Sequence, residues 1–316
     1  MSPGSGGEYR RARGSERGHG IGVIAATSRL EPGVMPMHSF LHRLRSCLLL
    51  AAIAALPAAA AIERSLEKTF TVVPGSVVKV DVSGAAIQTE VGPAGSVHLV
   101  LKERLRTDDA AEADKLLERF EITCVQQGDA VKLVVRPKKS LGFSWSWNNK
   151  VEFRPVLTVP ADVRLELDTS GGSIRVGGEM RAAVHANTSG GSITADGGTD
   201  LNLDTSGGSI RVGHASGQLR ADTSGGGITV DLVGPGATEV TLDTSGGSIQ
   251  VGVDPAARLF IAADTSGGSA KVEGFAAAFE AERKERSHVS GRLNGGGGNL
   301  RADTSGGSIR IGPASR

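Results

Sequence analysis

Apolar and polar residues alternate along most of the chain after residue 62, a pattern typical of strands that are buried on one face. In the segment LELDTSGGSIRV, which begins at residue 165, Leu165, Leu167 and Thr169 share one face. Asp168 lies on the other face, and apolar residues resume after the glycines. We therefore predict two short strands that meet at a tight corner, with the threonine pointing inward and the aspartate outward.

This corner motif repeats. DTSGG or NTSGG begins at positions 168, 187, 204, 222, 243, 264 and 303, so the spacing is 17–21 residues until a final interval of 39. An earlier copy, VKVDVSGAAIQTEV, contains Asp81 in the same frame. Repeats at near-constant spacing indicate stacked units. We expect the long interval to be an irregular turn of the same path that carries an insertion, with a degenerate corner at residues 289–291.

Two all-β architectures fit the repeat. The first is a parallel β-solenoid, right-handed and β-helix-like, with coils of about 19 residues and equivalent residues stacked about 4.8 Å apart. The second is an antiparallel hairpin-repeat array, in which S-G-G-S forms a type I′ turn and Leu167 pairs with Val176. Near-identical corners at near-constant spacing favour the solenoid, because stacked coils require both.

Residues 62–160 have a mixed pattern and form a separate N-terminal β-rich region that we expect to cap the repeat region, residues 161–316. Alternating runs predict strands at 77–82, 97–105 and 131–135. The segment 107–120 predicts one amphipathic helix, with Asp109 and Glu112 spaced as an acidic variant of a capping box.

The segment 35–61 predicts a secretory signal peptide, because two arginines precede an apolar run that ends in small residues before a cleavage site after Ala61. Residues 1–34 are then a mis-annotated or disordered extension. We expect an exported chain, located in the periplasm or at the cell surface, with no transmembrane span after cleavage. Its one remaining thiol, Cys124, fits the buried face of a strand.

The net charge of +1 and the absence of a basic, aromatic-rich block argue against a nucleic-acid partner. Glycine is abundant, at 45 of 316 residues, whereas aromatic residues make up only 3%. The core is therefore built from aliphatic side chains, which suits strands and corners.

The outward acids are the sharpest candidates for chemistry. Stacked carboxylates repel, so a hydrogen bond from a backbone N–H two residues on, nearby arginines or bridging cations must compensate. We favour a structural role at the corner, and we assign no catalytic, cofactor-binding or metal site to the chain. The structural corner residues are Asp168, Asn187, Asp204, Asp222, Asp243, Asp264 and Asp303.

Aromatic side chains cluster in one segment only. LGFSWSWNNKVEF places Phe143, Trp145 and Trp147 on one face of a strand. Such a row either seals the end of a core or forms a platform for sugars or partner proteins. We regard these three residues as a possible binding face.

The chain resembles bacterial envelope proteins known as the putative adhesin family. The resemblance rests on the leader, on LTVPADVRLELDTSGGSIRVGG and on SGRLNGGGGNLRADTSGGSIRIG, and it covers most of residues 62–312. It implies a β-helix-like fold and an envelope or surface location, and it offers no catalytic residues to carry over to this chain. We expect a non-enzymatic scaffold that binds an envelope protein or glycan. The alternatives are a β-helix enzyme acting on polysaccharide and a periplasmic accessory protein of an envelope-stress system.

Overall fold

The computed structural model describes residues 61–138 and 150–314. Within these ranges the backbone forms 21 strands that belong to one hydrogen-bonded sheet, together with one α-helix and one 3-10 turn. The prediction of an all-β chain is therefore confirmed. Neither helical segment in these ranges is long and apolar enough to cross a bilayer. The predicted signal peptide, apart from Ala61, and the aromatic residues Phe143, Trp145 and Trp147 lie outside the described residues.

The N-terminal region contains seven strands and the α-helix, and the strands predicted from alternation are all present. In chain order these elements are β1 (Ile62–Thr71), β2 (Val77–Val82), β3 (Ile87–Val91), β4 (Ser96–Leu105), α1 (Ala110–Leu117), β5 (Phe120–Gln127), β6 (Ala130–Pro137) and β7 (Val151–Val159).

The repeat region contains the other fourteen strands, two of which are long and run through two successive half-coils. They are β8 (Arg164–Thr169), β9 (Ile174–Met180), β10 (Val184–Thr188), β11 (Ile193–Thr205), β12 (Ile210–Thr223), β13 (Ile228–Val233), β14 (Glu239–Thr244), β15 (Ile249–Val253), β16 (Leu259–Thr265), β17 (Ala270–Val272), β18 (Phe279–Lys284), β19 (His288–Leu293), β20 (Gly298–Thr304) and β21 (Ile309–Pro313). The 3-10 turn spans Ala276–Ala278.

Helix α1 is shorter than the predicted 107–120 segment. Asp109 is its N-cap, as expected, and its carboxylate accepts a hydrogen bond from the backbone N–H of Ala111 at 2.9 Å. The predicted capping box is not formed, because Glu112 accepts a hydrogen bond from the hydroxyl of Thr107 at 2.7 Å. The predicted helix includes Phe120, but this residue begins β5, where it pairs with Pro137, and its ring packs edge-on against Phe153.

Strands that precede a corner pair with one another in parallel, and so do strands that follow a corner. We call these the leading row and the trailing row. In the leading row, Asn187 is the direct partner of Asp168 on one side and of Asp204 on the other. Leu167 pairs with Ala186 and not with Val176, so the repeats do not form the antiparallel hairpin array.

The parity predicted from the sequence is confirmed. Inward aliphatic residues of both rows belong to one buried cluster, which shows that the two rows pack against each other across a shared core. Thr188 and Thr223 are each only 1% exposed, as expected for inward threonines. The residues that precede them, Asn187 and Asp222, point outward beside the corner.

The spatial order of the coils departs from the chain order near both ends of the sheet. The β2–β3 coil lies between β6–β7 and β8–β9. Likewise, the β20–β21 coil lies between β14–β15 and β16–β17. The expectation that the 39-residue interval continues the same path, with a corner at residues 289–291, is wrong. Instead, β18 and β19 form an antiparallel hairpin outside β16, and the chain then returns into the sheet.

The second glycine of each corner is required by the close approach of neighbouring coils. A Cβ atom added to Gly208 would lie 2.0 Å from the carbonyl oxygen of Gly191. A Cβ added to Gly207, the first glycine of the same corner, would be no closer than 3.5 Å to any atom, an ordinary contact. Neither glycine has a positive φ angle, so steric contact rather than backbone conformation selects the residue.

We predict that Gly208→Ala lowers the free energy of unfolding by about 3 kcal/mol, because a backbone carbonyl must move to admit the methyl group. The matched variant Gly207→Ala should lower it by less than about 1 kcal/mol. Urea unfolding monitored by circular dichroism measures both. Equal losses for the two variants would contradict this explanation of the motif.

Candidate functional site: the aspartate column and its groove

The outward acids next to the corners form one continuous column along the leading row. Each member is the direct partner of the next, and we call this set the aspartate column. In spatial order its members are Asp81, Asp168, Asn187, Asp204, Asp222, Asp243, Asp303 and Asp264. All seven corner residues selected from the sequence are therefore brought together, although the last two exchange their order.

The hydrogen bonds inside each corner are made by threonine and not by aspartate. The hydroxyl of Thr223 donates to the carbonyl of Gly208 in the preceding coil at 2.7 Å. The same hydroxyl accepts a hydrogen bond from the backbone N–H of Gly226 in its own corner at 3.3 Å. Equivalent pairs recur at Thr169, Thr188, Thr205, Thr244, Thr265 and Thr304. These buried hydroxyls are committed to structure.

The serine that follows the two glycines links neighbouring coils. The hydroxyl oxygen of Ser192 accepts a hydrogen bond from the backbone N–H of Ser209 at 3.2 Å, and Ser248 accepts one from Ser308 at 3.1 Å. The serine before the glycines is exposed at the surface, and so is the serine that follows them in most of the corners. Apart from the corner with Asn187, each corner therefore offers an aspartate and serine hydroxyls to solvent.

A groove of about 650 Å³ runs along the last part of the aspartate column, and we call it the corner groove. Four consecutive members of the column, from Asp222 to Asp264, line one side together with the exposed serines. The chain around the β18–β19 hairpin supplies the other side, with Arg283, Glu285 and His288. Repeated acids and hydroxyls thus face a short stretch of non-repeated charged residues.

A basic residue closes the aspartate column at each end. The guanidinium of Arg136, on β6, forms an ion pair with Asp81. At the other end, the imidazole of His288 on β19 is hydrogen-bonded to Asp264, its direct antiparallel partner. The positive charge of Arg136 partly offsets the repulsion between Asp81 and its stacked neighbour Asp168.

Within the groove, arginines neutralise alternate members of the column. Arg220 Nη2 lies 3.7 Å from Asp222 Oδ2, and Arg301 Nε lies 2.6 Å from Asp303 Oδ2. Asp243 stands between them; burial raises the pKa of its carboxyl, and the charges of Asp303 and Asp222 raise it further. The negative charge of Asp243 is therefore disfavoured in the folded protein.

Asn187 relieves the same repulsion elsewhere in the column. Burial raises the pKa of the neighbouring Asp168, while a hydrogen bond from Asn187 acts in the opposite direction. An amide at this position therefore stabilises the charged form of its neighbour and adds no charge of its own. In the part of the chain that the structure describes, no group of three or more histidine, cysteine or acidic residues is placed to hold a metal ion.

Sequence reasoning missed the basic groups that face the column. Arg136, Arg283 and His288 reach it from strands or turns outside the repeat. None of them recurs with the DTSGG motif, so the repeat pattern gives no signal for them. Only the antiparallel register of β19 against β16 brings it beside Asp264.

Comparison with solved structures finds that the chain is similar to proteins described as putative adhesins or cell adhesion proteins, the family that its repeat motifs resemble. A putative cell adhesion protein from Clostridium sporogenes is 14% identical, with 79% of this chain and all of that chain covered and a TM-score of 0.33. A putative adhesin from Bacteroides fragilis is 11% identical, with 78% and 97% covered and a TM-score of 0.38. A putative lipid binding protein from Parabacteroides distasonis is 11% identical, with 78% and 96% covered and a TM-score of 0.27.

These TM-scores are too low for the likeness to carry an argument about function. No protein-family model matches the chain, and no curated protein matches it. The case for a function therefore depends on the geometry of the column and the groove.

We predict that Thr223→Val lowers the free energy of unfolding by about 1–3 kcal/mol. The change keeps the shape of the side chain, but the carbonyl of Gly208 and the N–H of Gly226 lose the hydroxyl that bonds them. Ser224→Ala, which removes an exposed hydroxyl from the same corner, should have little effect. Thermal unfolding of both variants measures the difference. A Thr223→Val protein as stable as the parent would show that the threonine ladder does not hold the corners.

We predict that Asp243→Asn makes the protein more stable at pH 7. Because burial raises the pKa of Asp243 in the folded state, the parent loses stability as the pH rises from the ordinary aspartate range through that raised value. An amide removes this loss, so the gain should shrink as the pH falls and disappear at about pH 2.5, well below the ordinary aspartate pKa of about 3.9, where the carboxyl is protonated in both states. Melting temperatures across this range measure the effect. Asp222→Asn removes an ion pair with Arg220 and should give no such gain.

Proposed function

We propose that this protein is a non-enzymatic, exported scaffold of the bacterial envelope, and that its corner groove binds a basic segment of another envelope protein. In this proposal the repeats form a right-handed parallel β-solenoid. The solenoid holds acids and hydroxyls at a fixed spacing along a surface that a partner can follow.

The observation that carries the proposal is the in-register run of Asp222, Asp243, Asp303 and Asp264 along one wall of the groove. Neighbouring strands in a sheet lie about 4.8 Å apart, so the carboxylates form a ladder with that repeat. Two of the four form an ion pair with an arginine, namely Asp222 with Arg220 and Asp303 with Arg301, and burial raises the pKa of Asp243. A partner that brings lysine or arginine side chains to the groove would relieve this repulsion.

The enzyme alternative has one observation in its favour. The pair formed by Asp264 and His288 is not repeated, and it lies in the groove beside Arg283 and Glu285. Unique acids and bases in one groove are what an enzyme acting on polysaccharide requires. The scaffold proposal interprets this pair instead as the end of the aspartate column.

Binding of a fluorescent decalysine peptide tests the scaffold proposal. Replacing Asp243, Asp303 and Asp264 by Asn should weaken binding about tenfold, since three partly exposed contacts of about 0.5 kcal/mol each amount to one such step. The matched control replaces Asp196, Asp200 and Asp231 by Asn, which changes the net charge equally on surfaces outside the groove. Equal weakening by the two triple variants would contradict a specific groove.

Incubation with polygalacturonate and other acidic polysaccharides separates the scaffold from the enzyme. We expect no release of reducing ends or unsaturated products. Product formation by the parent that is abolished in His288→Ala would overturn the proposal in favour of the enzyme.

A further inference from the structure

Strands β20 and β21 form a coil that is inserted between two coils preceding it in the chain, and we call it the inserted coil. Its slot has one wall made by β14–β15 and another made by β16–β17. We propose that this slot accepts the inserted coil of a second copy of the chain, so that two copies associate by exchanging it.

The walls of the slot hold the inserted coil by the contacts that every coil of the array makes. On one wall, the hydroxyl of Thr304 donates to the carbonyl of Gly247 at 2.8 Å. On the other, the hydroxyl of Thr265 donates to the carbonyl of Gly307 at 2.7 Å. None of these contacts involves the segment that leads into the coil. A coil supplied by another copy would therefore make all of them.

The slot can also exist in a closed form, because β16 carries nearly the same inward residues as β20. Ala302 and Ala263 are direct partners, and so are Leu300 and Ile261. Either strand could thus pair in register with the edge of β14 and continue its row of inward side chains. In the trailing row, Ile309 of the inserted coil corresponds to the smaller Ala270, so the inserted coil fills its place better than β17 would.

Residues 254–258, which connect β15 to β16, have a length that suits both the filled slot and the closed slot. Residues 234–238 connect β13 to β14 across one strand spacing, and residues 254–258 connect β15 to β16 across two. Both have five residues, both contain a buried alanine, and both have the same i to i+3 backbone hydrogen bond. The array can therefore close after the inserted coil has left, which lowers the cost of releasing it.

The hinge for exchange is the tight loop of residues 294–297, between β19 and β20. Asn294, Gly295 and Gly296 all have positive φ angles, and the loop crosses the start of β16 so closely that a Cβ on Gly297 would lie 2.9 Å from the carbonyl oxygen of Arg258. This crossing places the inserted coil in the slot of its own chain. Exchange between copies needs only this loop to open, because all other contacts are made again.

Shortening the hinge tests the proposal in the full-length chain. With Gly295 and Gly296 deleted, β20 cannot cross β16 to reach its own slot, and insertion into a second copy is the remaining way to fill it. Light scattering after size exclusion should give twice the monomer mass. Adding two glycines to the same loop is the control and should leave a monomer. A shortened chain that stays monomeric would overturn the proposal.

A second experiment leaves the hinge unchanged, in a chain with Cys47→Ser and Cys124→Ala. Thr241 and Arg301 are direct partners on neighbouring strands, and a disulfide can span that distance. Thr241→Cys and Arg301→Cys chains, mixed at high concentration and oxidised, should form mixed dimers in several-fold greater yield than Asn202→Cys mixed with Arg301→Cys. Asn202 has an equivalent outward position away from the slot. Equal yields would contradict exchange.

Discussion

The whole array depends on how closely neighbouring coils approach one another at their corners. The second glycine of each corner lies against the carbonyl of the coil before it, at a distance that leaves no room for a Cβ. The buried threonine two positions before the first glycine uses the same carbonyl as its hydrogen-bond acceptor. Because both contacts join successive coils, each coil is held in register by its neighbour, and no single coil is stable alone.

Strict register at the corner dictates what happens on the outer surface. If the threonines stack, the residues before them stack too, and in this chain those residues are acids. The resulting repulsion is reduced by arginines on the same strands, by Asn187 within the column, and by Arg136 at one end. The spacing of charges along the corner groove therefore follows from the strand register that the buried threonines fix.

The same contacts make coils interchangeable, and this explains how chain order and spatial order can differ. The inserted coil presents the threonine, glycines and aliphatic residues that any neighbour requires. The strands at the outer edges of the rows are β1, β5, β17 and β18, and each pairs with only one described strand. The described part of β18 is rich in exposed charged residues, which discourages further strands from adding to that edge.

The sequence by itself determined the strands, the inward threonines, the outward acids and the repeating corner, because alternation and spacing are local properties of the chain. It did not reveal why the second glycine of each DTSGG corner must be glycine, since that depends on contact with a carbonyl in another coil. Nor did it place the inserted coil or bring His288 beside Asp264. When every repeat offers the same contacts, the local pattern fits several orders equally well, and only the connections and the edges of the folded sheet select one of them.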